Sequence, residues 1–289
     1  MYRHLRFKHS CKAQVEVNIA SGKNEEKISY SKSKIINLVR VQGVMKTIII
    51  LILLILNKLL NTKIINRMRL TFRCSHGYTF IARIEDWWRF TNHFEPRTTA
   101  FIGKIIKSND IVIDVGAHIG IHTVHFAKKA KFVIAIEPEP ENFLLLKMNI
   151  LANKIRNVIA LPIAASNYDG AISLCISSAS GAHTVEETNK CINKLMVKCK
   201  RIDSLLKVLG ISKVDIVKID VEGHEYKVIG GMREILTKNP PRVLIMEVNR
   251  NSKLLAQLNN IFKHVLILDI WNNRLNIALI RDINLNAGG

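Results

Sequence analysis

Three carboxylates stand close together in the stretch IVKIDVEGHEYKVIGG, residues 216–231. Asp220, Glu222 and Glu225 fall within six positions, at the end of an apolar run of the kind that is normally buried. Like charges in such a place repel one another unless a cation faces them or one of them holds a proton. The stretch therefore indicates a site where carboxylates face a positive group or take a proton from a substrate.

A second stretch, DVGAHIG, contains residue types that can hold a nucleotide-like ligand. Asp114, Gly116, His118 and Gly120 fall in one strand-to-helix turn, where glycines let the backbone approach a ligand and free helix N–H groups bind it. Glu137 comes 23 positions after Asp114, behind the next strand, where an acid can accept both hydroxyls of a ribose. The glycine spacing differs from the G-x-G-x-x-G of dinucleotide-binding folds. These residues predict an adenosine-containing ligand, and the alternative is an ordinary turn followed by a surface acid.

The elements that must position these residues are alternating strands and helices from about residue 70 onward. The predicted strands are 78–84, 111–115, 132–136, 158–164, 214–220, 242–248, 264–270 and 275–280. The predicted helices are 120–130, 139–153, 224–237 and 251–262. This alternation predicts an α/β domain with a mostly parallel, doubly wound sheet. In such sheets the ligand lies beyond the carboxyl ends of the strands, which is where both stretches fall.

Four blocks of the sequence resemble the FkbM-type S-adenosylmethionine-dependent methyltransferases. The blocks are VIDVGAHIGIHTVHFAKKA, VIAIEPEPENFLLLKMNILAN, VDIVKIDVEGHEYKVIGGM and RVLIMEV, and the resemblance runs from about residue 78 to 250. His118 stands where that family usually has Asn, and a ring nitrogen can replace an amide as donor or acceptor. The resemblance implies a Rossmann-like class I methyltransferase fold with a C-terminal antiparallel strand, within residues 264–280.

The resemblance also implies roles for the two chemically interesting stretches. S-adenosylmethionine would be the cofactor, with Glu137 on its ribose and Asp220 facing its sulfonium or ammonium charge. The cofactor-binding residues would be Asp114, Gly116, His118, Gly120, Glu137 and Asp220. Asp220 and Glu222 would be the catalytic residues, and the cofactor's positive charge would let them stay ionised. Glu225 would begin the next helix, where an acid favours the helix dipole.

The reaction implied is methylation of a hydroxyl on a sugar, glycan or glycolipid, so the acceptor is a small molecule or a glycan. Methyl transfer from a sulfonium needs alignment of the reactants, and a hydroxyl acceptor also has to lose a proton. Glu222 is the favoured base, and His183, His224 and Glu247 are alternatives. We expect His224 to be exposed in the first turn of a helix. The polar stretch 177–194 has the length of a substrate lid.

Neither metal ligation nor nucleic-acid binding is favoured by the motifs. His118, His122 and His125 have helical spacing, but His118 is expected in the turn and H-E-x-x-H is absent, so we predict no metal site. The sequence NPPR at 239–242 is predicted to be a turn, because the N-P-P-aromatic motif of amino-group methyltransferases would follow the fourth strand and end in an aromatic residue.

Composition leaves two other functions open. The net charge of +20 favours anionic partners and keeps a nucleic-acid methyltransferase as one alternative. A non-catalytic, membrane-associated protein that binds the cofactor is the other. Five cysteines without regular spacing argue against a disulfide framework and favour a reducing compartment.

The N-terminal part of the chain differs from the rest. Residues 1–44 are predicted to be a basic, weakly ordered extension, residues 45–69 an apolar and basic helix, and residues 70–289 the methyltransferase domain. The apolar run 47–56 reaches about 15 Å as a helix, half of a ~30 Å hydrocarbon core. Met45 could also be the true start. We expect a cytoplasmic protein whose segment 45–69 either contacts the inner face of the membrane peripherally or is a buried helix or hydrophobic N-terminal arm.

Overall fold

The computed structural model describes residues 29–60, 68–74, 76–91, 94–177, 180–186, 191–250, 252–271 and 273–281. The strands are β1 Arg69–Arg73, β2 Thr79–Arg83, β3 Ile111–Val115, β4 Phe132–Ile136, β5 Val158–Leu161, β6 Ala164–Ala165, β7 Gly170–Ile176, β8 Asn193–Lys200, β9 Ile216–Ile219, β10 Val243–Asn249, β11 His264–Trp271 and β12 Arg274–Ile280. The helices are α1 Ser29–Gln42, α2 Val44–Leu60, α3 Pro96–Ile105, α4 Ile121–Ala127, α5 Pro140–Ala152, α6 Ile202–Leu209, α7 Glu225–Gly230, α8 Arg233–Lys238 and α9 Leu254–Leu258, and a 3-10 helix spans Ile84–Phe90.

A seven-stranded sheet forms the centre of the molecule, in the order β11-β12-β10-β9-β3-β4-β5. Strands β3, β4, β5, β9 and β10 pair in parallel, whereas β12 pairs antiparallel with both β10 and β11. The strand order reverses between β3 and β9, each of which starts a separate half of the sheet. This order confirms the predicted Rossmann-like fold, including its antiparallel C-terminal strand.

Apolar residues cover both faces of the sheet because successive residues of a strand point to opposite sides. On β3, Val112 packs in a core cluster with Phe126 of α4, while the next residue, Ile113, packs in another cluster with Val228 of α7. Strand β9 is buried at every position. Its burial explains why the sequence runs of these strands are nearly continuous in apolar residues rather than alternating.

Several predicted elements are shorter or divided in the structure. The predicted helix 224–237 is two helices, α7 and α8, separated at Gly231, where a Cβ atom would lie 2.0 Å from the carbonyl oxygen of Ser166. The predicted strand 158–164 ends at Leu161, and the chain then enters a second sheet of three strands ordered β6-β8-β7. That small sheet carries the predicted lid, of which residues 177, 180–186 and 191–194 are described.

Residues 29–42 form helix α1, so the prediction of weak order for 1–44 is wrong for this part, and residues 1–28 lie outside the described chain. Leu38 is fully buried in the main core cluster, and α1 packs against α2 and β1. Tertiary packing therefore stabilises a helix whose polar composition does not predict it. Among the described residues, no helix is both long and apolar enough to cross a membrane.

The cysteines depart from expectation at one point. Cys175 on β7 and Cys191 form a disulfide, with their Cα atoms 5.3 Å apart, although the spacing of the cysteines predicts none. The bond closes a loop of 16 positions that contains most of the predicted lid. The spacing of cysteines in the sequence could not predict this pair, because the two residues are brought together by the antiparallel pairing of β7 and β8.

Candidate active site

A cavity of about 220 Å³ opens at the carboxyl ends of the central strands. Among the residues that line it are Gly116 and His118 after β3, Glu137 after β4, Asp220 and Glu222 after β9, and Glu247 on β10. The sequence predicts that residues following these strands share one site, and the structure brings them to one cavity. Their roles toward a ligand stay predictions.

The turn after β3 is fixed by close backbone contact. Gly116 has φ 76°, and a Cβ atom there would lie 1.8 Å from the carbonyl oxygen of Asp220, so only glycine fits. Gly120 has φ 90° and caps α4. Asp114 is buried beneath the turn and accepts a hydrogen bond from Thr123 Oγ1 at 2.6 Å. Asp114 and Gly120 support the turn and are not among the residues that line the cavity.

Glu137 and His118 form the part of the cavity next to this turn. Glu137 is buried, and its two carboxylate oxygens accept hydrogen bonds from the backbone N–H groups of His118 (2.8 Å) and Glu139 (2.9 Å). Burial raises the pKa of Glu137 to about 7. The Asn142 side chain also hydrogen-bonds to this carboxyl group. A carboxylate has about four acceptor positions, so room remains for a hydrogen bond from a ligand hydroxyl. His118 has φ 52°, a left-handed conformation that suits the Asn of the resemblance and is also adopted by His.

Two cationic side chains, Lys218 and Arg274, contact the crowded carboxylates. Oxygens of Asp220, Glu222 and Glu247 lie within 4.8 Å of one another. Lys218 Nζ, which is buried on β9, donates to Asp220 Oδ2 at 3.0 Å. Arg274 Nη1, on β12, contacts Glu222 Oε2 and also Glu247 Oε2, the latter at 2.8 Å. The chain itself therefore supplies positive partners for all three acids.

The charge states of this acid cluster (Asp220, Glu222 and Glu247) follow from its surroundings. Burial and the carboxylates of Asp220 and Glu222 raise the pKa of Glu247 to about 8. Burial and Asp220 also raise the pKa of Glu222. Burial alone would lower the pKa of Lys218, but Asp220 and other nearby carboxylates outweigh it and raise the pKa. At neutral pH Glu247 therefore holds a proton most of the time, while Lys218 stays charged.

The backbone after β9 makes a tight turn that presents Glu222 to the cavity. Glu222 has φ 55° and Gly223 has φ 109°. Thr184 Oγ1 donates to the Glu222 carbonyl oxygen at 2.9 Å, and Gly223 N donates to Glu225 Oε1 at 3.1 Å. Glu225 begins α7, at the position that the sequence predicts. These hydrogen bonds stabilise the left-handed backbone conformation of Glu222, which would otherwise be unfavourable.

Two of the alternative bases, His183 and His224, also line the cavity, and each ring is hydrogen-bonded within the protein. The prediction that His224 is exposed is wrong: it is buried, with Nε2 3.1 Å from Ser166 Oγ and Nδ1 2.5 Å from Glu186 Oε1. His183 lines the cavity, and its Nδ1 accepts a hydrogen bond from the backbone N–H of Ser177 at 3.0 Å. Burial lowers the pKa of His183, so the ring is neutral at physiological pH.

Residues 180–186 of the predicted lid lie against the cavity. Ser180 Oγ donates to Asp86 Oδ1 at 2.6 Å, and the Ser180 carbonyl oxygen accepts from Asn142 Nδ2 at 3.1 Å. At the other end, Thr184 and Glu186 contact the turn after β9 through the hydrogen bonds given above. This segment is therefore tied at both ends to elements that form the site.

His122 and His125, which share the helical spacing of His118, each contact a neighbouring group. His122 Nε2 lies 2.8 Å from Glu95 Oε2, and His125 Nδ1 lies 2.7 Å from the Ile121 carbonyl oxygen. Two groups of described residues do place three potential ligand atoms within 4.8 Å of one another. They are the acid cluster and the set Cys74, His76 and His125. In the acid cluster, Arg274 already contacts two of the three carboxylates.

Two site residues are missed by motif reasoning. Lys218 stands in the predicted strand VDIVKID, and a charged residue inside a buried run is a sign of an ion pair that sequence reasoning could have used. Arg274 lies 52 positions after Glu222 in the chain, in the hairpin between β11 and β12. No pattern in that hairpin indicates its contact with the acid cluster.

Residues 114–268, more than half of the chain, match the family described as the methyltransferase FkbM domain. The chain belongs to this family. FkbM methyltransferases take their methyl group from S-adenosylmethionine, and the geometry after β3 and β4 fits that cofactor. The Glu137 carboxyl group lies where it could accept hydrogen bonds from ribose hydroxyls, and His118 Nε2 is buried without a hydrogen-bond partner among the described residues.

Individual relatives act on different substrates. The hexuronic acid methyltransferase AglP of Haloferax volcanii is 31% identical over 159 residues, which are 54% of this chain and 64% of that protein. A tRNA(Phe) (4-demethylwyosine(37)-C(7)) aminocarboxypropyltransferase of Methanocaldococcus jannaschii is 42% identical over 84 residues, 28% of this chain and 32% of that protein. The matches thus span less than two thirds of each relative.

Among solved structures, the FkbM methyltransferase from Methylobacillus flagellatus aligns with a TM-score of 0.46 and 16% sequence identity. The alignment covers 61% of this chain and 44% of that chain.

Proposed function

We propose that the protein methylates a hydroxyl oxygen of a sugar, free or within a glycan or glycolipid, with S-adenosylmethionine as the methyl donor. The observation that carries the proposal is the set of carboxyl groups that line the cavity. They come from Glu95, Glu137, Asp220, Glu222 and Glu247, against one arginine, Arg89, among the described lining residues. At neutral pH Glu247 is mostly protonated and nearby cations pair with Asp220 and Glu222, so these groups are hydrogen-bonding partners more than a store of negative charge. They suit the hydroxyls of a neutral sugar, whereas a phosphate or carboxylate acceptor finds few cationic partners.

The acid cluster has the groups that a hydroxyl acceptor requires. When bound, S-adenosylmethionine supplies an activated methyl group and leaves as a neutral thioether. The hydroxyl oxygen must lose its proton as it bonds to carbon, and Glu222 is the proposed proton acceptor. Arg274 holds the Glu222 carboxylate in position and offsets its charge, and Lys218 does the same for Asp220. Asp220 is proposed to face the cofactor.

Residues on the other side of the cavity are proposed to hold the cofactor and to exclude water. Glu137 would bind the ribose hydroxyls, and His118 Nε2 would bind a polar group of the cofactor. The segment 180–186 would close over the acceptor, since both of its ends contact the site. Removal of water strengthens the interactions of the charged groups that remain.

A relative gives further support to the sugar class. AglP is named for hexuronic acid, a sugar derivative. A hexuronate carboxylate would face more carboxyl groups than cationic side chains in the cavity, so we propose a neutral sugar hydroxyl instead of a uronate carboxylate as the acceptor of this chain.

Labelled S-adenosylmethionine tests the proposal. Purified protein is incubated with separate pools of neutral glycans, uronate-containing glycans, lipid-linked sugars and RNA, and the label in each pool is counted. We expect label in a neutral sugar pool, free or lipid-linked, and none from a Glu222→Gln variant. Label only in the uronate-containing pool would contradict the acceptor class, and cofactor binding without label in any pool would support a non-catalytic protein.

A nucleic-acid methyltransferase is the second candidate. The net charge of +20 and the match to a tRNA-acting relative favour it. The lining of the cavity argues against it, because a phosphate would meet five carboxyl groups and one arginine, Arg89, among the described lining residues. Label in the RNA pool alone would establish this alternative.

A further inference from the structure

Helix α2 presents apolar side chains to solvent along one side. Its exposed residues include Met45, Ile48, Ile49, Ile52, Ile55 and Leu59, whose exposed fractions run from 44% to 74%. At 100° per residue these six positions fall within an arc of about 120°, so they form one continuous stripe along the helix. We call it the α2 stripe. Exposed apolar residues that occur singly need no explanation, but a contiguous stripe of this kind marks an interaction surface.

The opposite side of α2 faces the protein and carries polar residues of the helix. Ile50 and Thr47 are buried there, and Thr47 Oγ1 donates to the Gly43 carbonyl oxygen at 2.9 Å. Lys46 Nζ contacts the Thr71 carbonyl oxygen and lies 5.8 Å from the centre of the Phe72 ring. Ile50, Leu53 and Leu54 also pack against the main core cluster, so α2 is apolar on both sides. A surface helix in water carries polar and charged residues on its outer side, where α2 has the stripe. The outer side of α2 is thus built for an apolar surrounding.

The charge of the sequence on either side of α2 indicates which apolar environment the stripe meets. Between residues 27 and 84 the sequence contains eleven Lys or Arg residues and no Asp or Glu. A basic segment next to an exposed apolar helix complements an anionic lipid surface, because headgroup charges attract the cations while the acyl boundary takes up the apolar side chains. A protein partner with an apolar groove would not by itself account for 58 residues without a single acid.

We propose that the α2 stripe docks on an anionic lipid bilayer, with the helix lying in the plane of the interface. The 17 residues of α2 reach about 26 Å along the surface. Such helices bury their apolar side at the boundary of headgroups and acyl chains. This surface is separate from the catalytic cavity, and the proposal does not depend on which acceptor is methylated.

Vesicle flotation with the full chain tests the proposal. The vesicles are pure phosphatidylcholine or phosphatidylcholine mixed with phosphatidylglycerol. We expect the protein to float with the phosphatidylglycerol vesicles and to bind the neutral ones at least tenfold less. The double variant Ile52→Asp, Ile55→Asp should lose at least tenfold in bound fraction, because two charges then face the acyl boundary. Its melting temperature should be unchanged, since both side chains are exposed.

A matched control is Val208→Asp on α6, where an equally apolar side chain is 76% exposed on another part of the molecule. This variant should float like the wild type. A wild-type protein that does not float, or a double variant that floats as well as the wild type, overturns the proposal. If the wild type does not bind vesicles but sediments as a dimer, and the double variant sediments as a monomer, the stripe contacts a second copy of the chain. That result also overturns the proposal.

Discussion

The contact of Arg274 with two carboxylates allows a sharp test of which one accepts the proton. The proposed base is Glu222, and Glu247 is its neighbour on the same arginine. We consider the neutral isosteres Glu222→Gln and Glu247→Gln. In each, the amide oxygen can still accept a hydrogen bond from Arg274, so the geometry is retained while the charge is removed.

The expected size of each effect follows from the pKa of Glu247, which burial and its two acidic neighbours raise to about 8. At pH 7 about a tenth of the molecules carry an ionised Glu247, and at pH 9 about nine tenths do. A neutral amide therefore reproduces the usual state of Glu247 at pH 7, and kcat of Glu247→Gln should stay within about threefold of wild type. At pH 9 Glu247 of the wild type is ionised, whereas the amide of Glu247→Gln stays neutral. The added negative charge raises the basicity of Glu222, so the ratio of wild-type to variant kcat should increase.

Glu222→Gln removes the proposed base itself. We expect kcat to fall about 10²- to 10⁴-fold at both pH values, with the affinity for S-adenosylmethionine nearly intact. The assay is transfer of label under single-turnover conditions to whichever acceptor pool becomes labelled, at pH 7 and pH 9. Calorimetry gives the cofactor affinity of each variant.

Stability measurements complete the test. The raised pKa of Glu247 means that the folded protein holds a proton that the unfolded chain releases above pH 4.5. The wild type should therefore lose stability relative to Glu247→Gln as the pH rises from about 4.5 to about 8. A hundredfold loss for Glu247→Gln at pH 7, with Glu222→Gln at the wild-type rate, would refute the reasoning and make Glu247 the base. A stable Glu222→Gln variant with full activity would remove Glu222 from the catalytic residues.

Three further substitutions probe the rest of the site. Glu137→Ala should weaken S-adenosylmethionine binding about ten- to a hundredfold in calorimetry, and unchanged affinity would contradict the ribose assignment. Asp220→Asn should weaken cofactor binding and also lower the melting temperature, because Lys218 stays buried but loses its ionic partner at 3.0 Å. If loss of the ion pair is the cause, adding Lys218→Met to this variant should restore the melting temperature. Replacing Cys175 and Cys191 with Ser should lower the free energy of unfolding by about 3 kcal/mol, as expected for a loop of about 15 residues, and a wild-type melting curve insensitive to reductant would contradict this.

The sheet and its ligand edge could be predicted from the sequence because both have local signatures. Strands such as β3 and β9, buried on both faces, leave continuous apolar runs. The chemically distinctive residues Gly116, Glu137 and Asp220 come directly after such runs. Since parallel strands end at one edge of the sheet, the position of each apolar run was enough to predict that these residues lie close together.

The cationic partner of Glu222 and the N-terminal helix α1 could not be predicted in the same way. The contact of Glu222 with Arg274 depends on how the β11–β12 hairpin is placed beside β10, which no local pattern records. Helix α1 has a polar sequence, and its order depends on the burial of Leu38 against the domain. His224 looks like an ordinary first-turn residue until the small sheet brings Ser166 to its ring. In each case a tertiary contact overrides the local propensity.

Gly116 has a consequence for how this protein can change over evolutionary time. Because a Cβ atom there would lie 1.8 Å from the backbone of Asp220, the turn after β3 and the turn after β9 share one packing constraint. Any side chain at 116 would push Asp220 away from the cavity and disturb the donor and acceptor sides together. Gly43 and Gly77 also have positive φ but meet nothing within 4 Å, so Asn can replace them at modest cost. We therefore expect changes of acceptor specificity to be tolerated in the predicted lid and the β11–β12 hairpin, and substitutions at the junction of the two turns to be rejected.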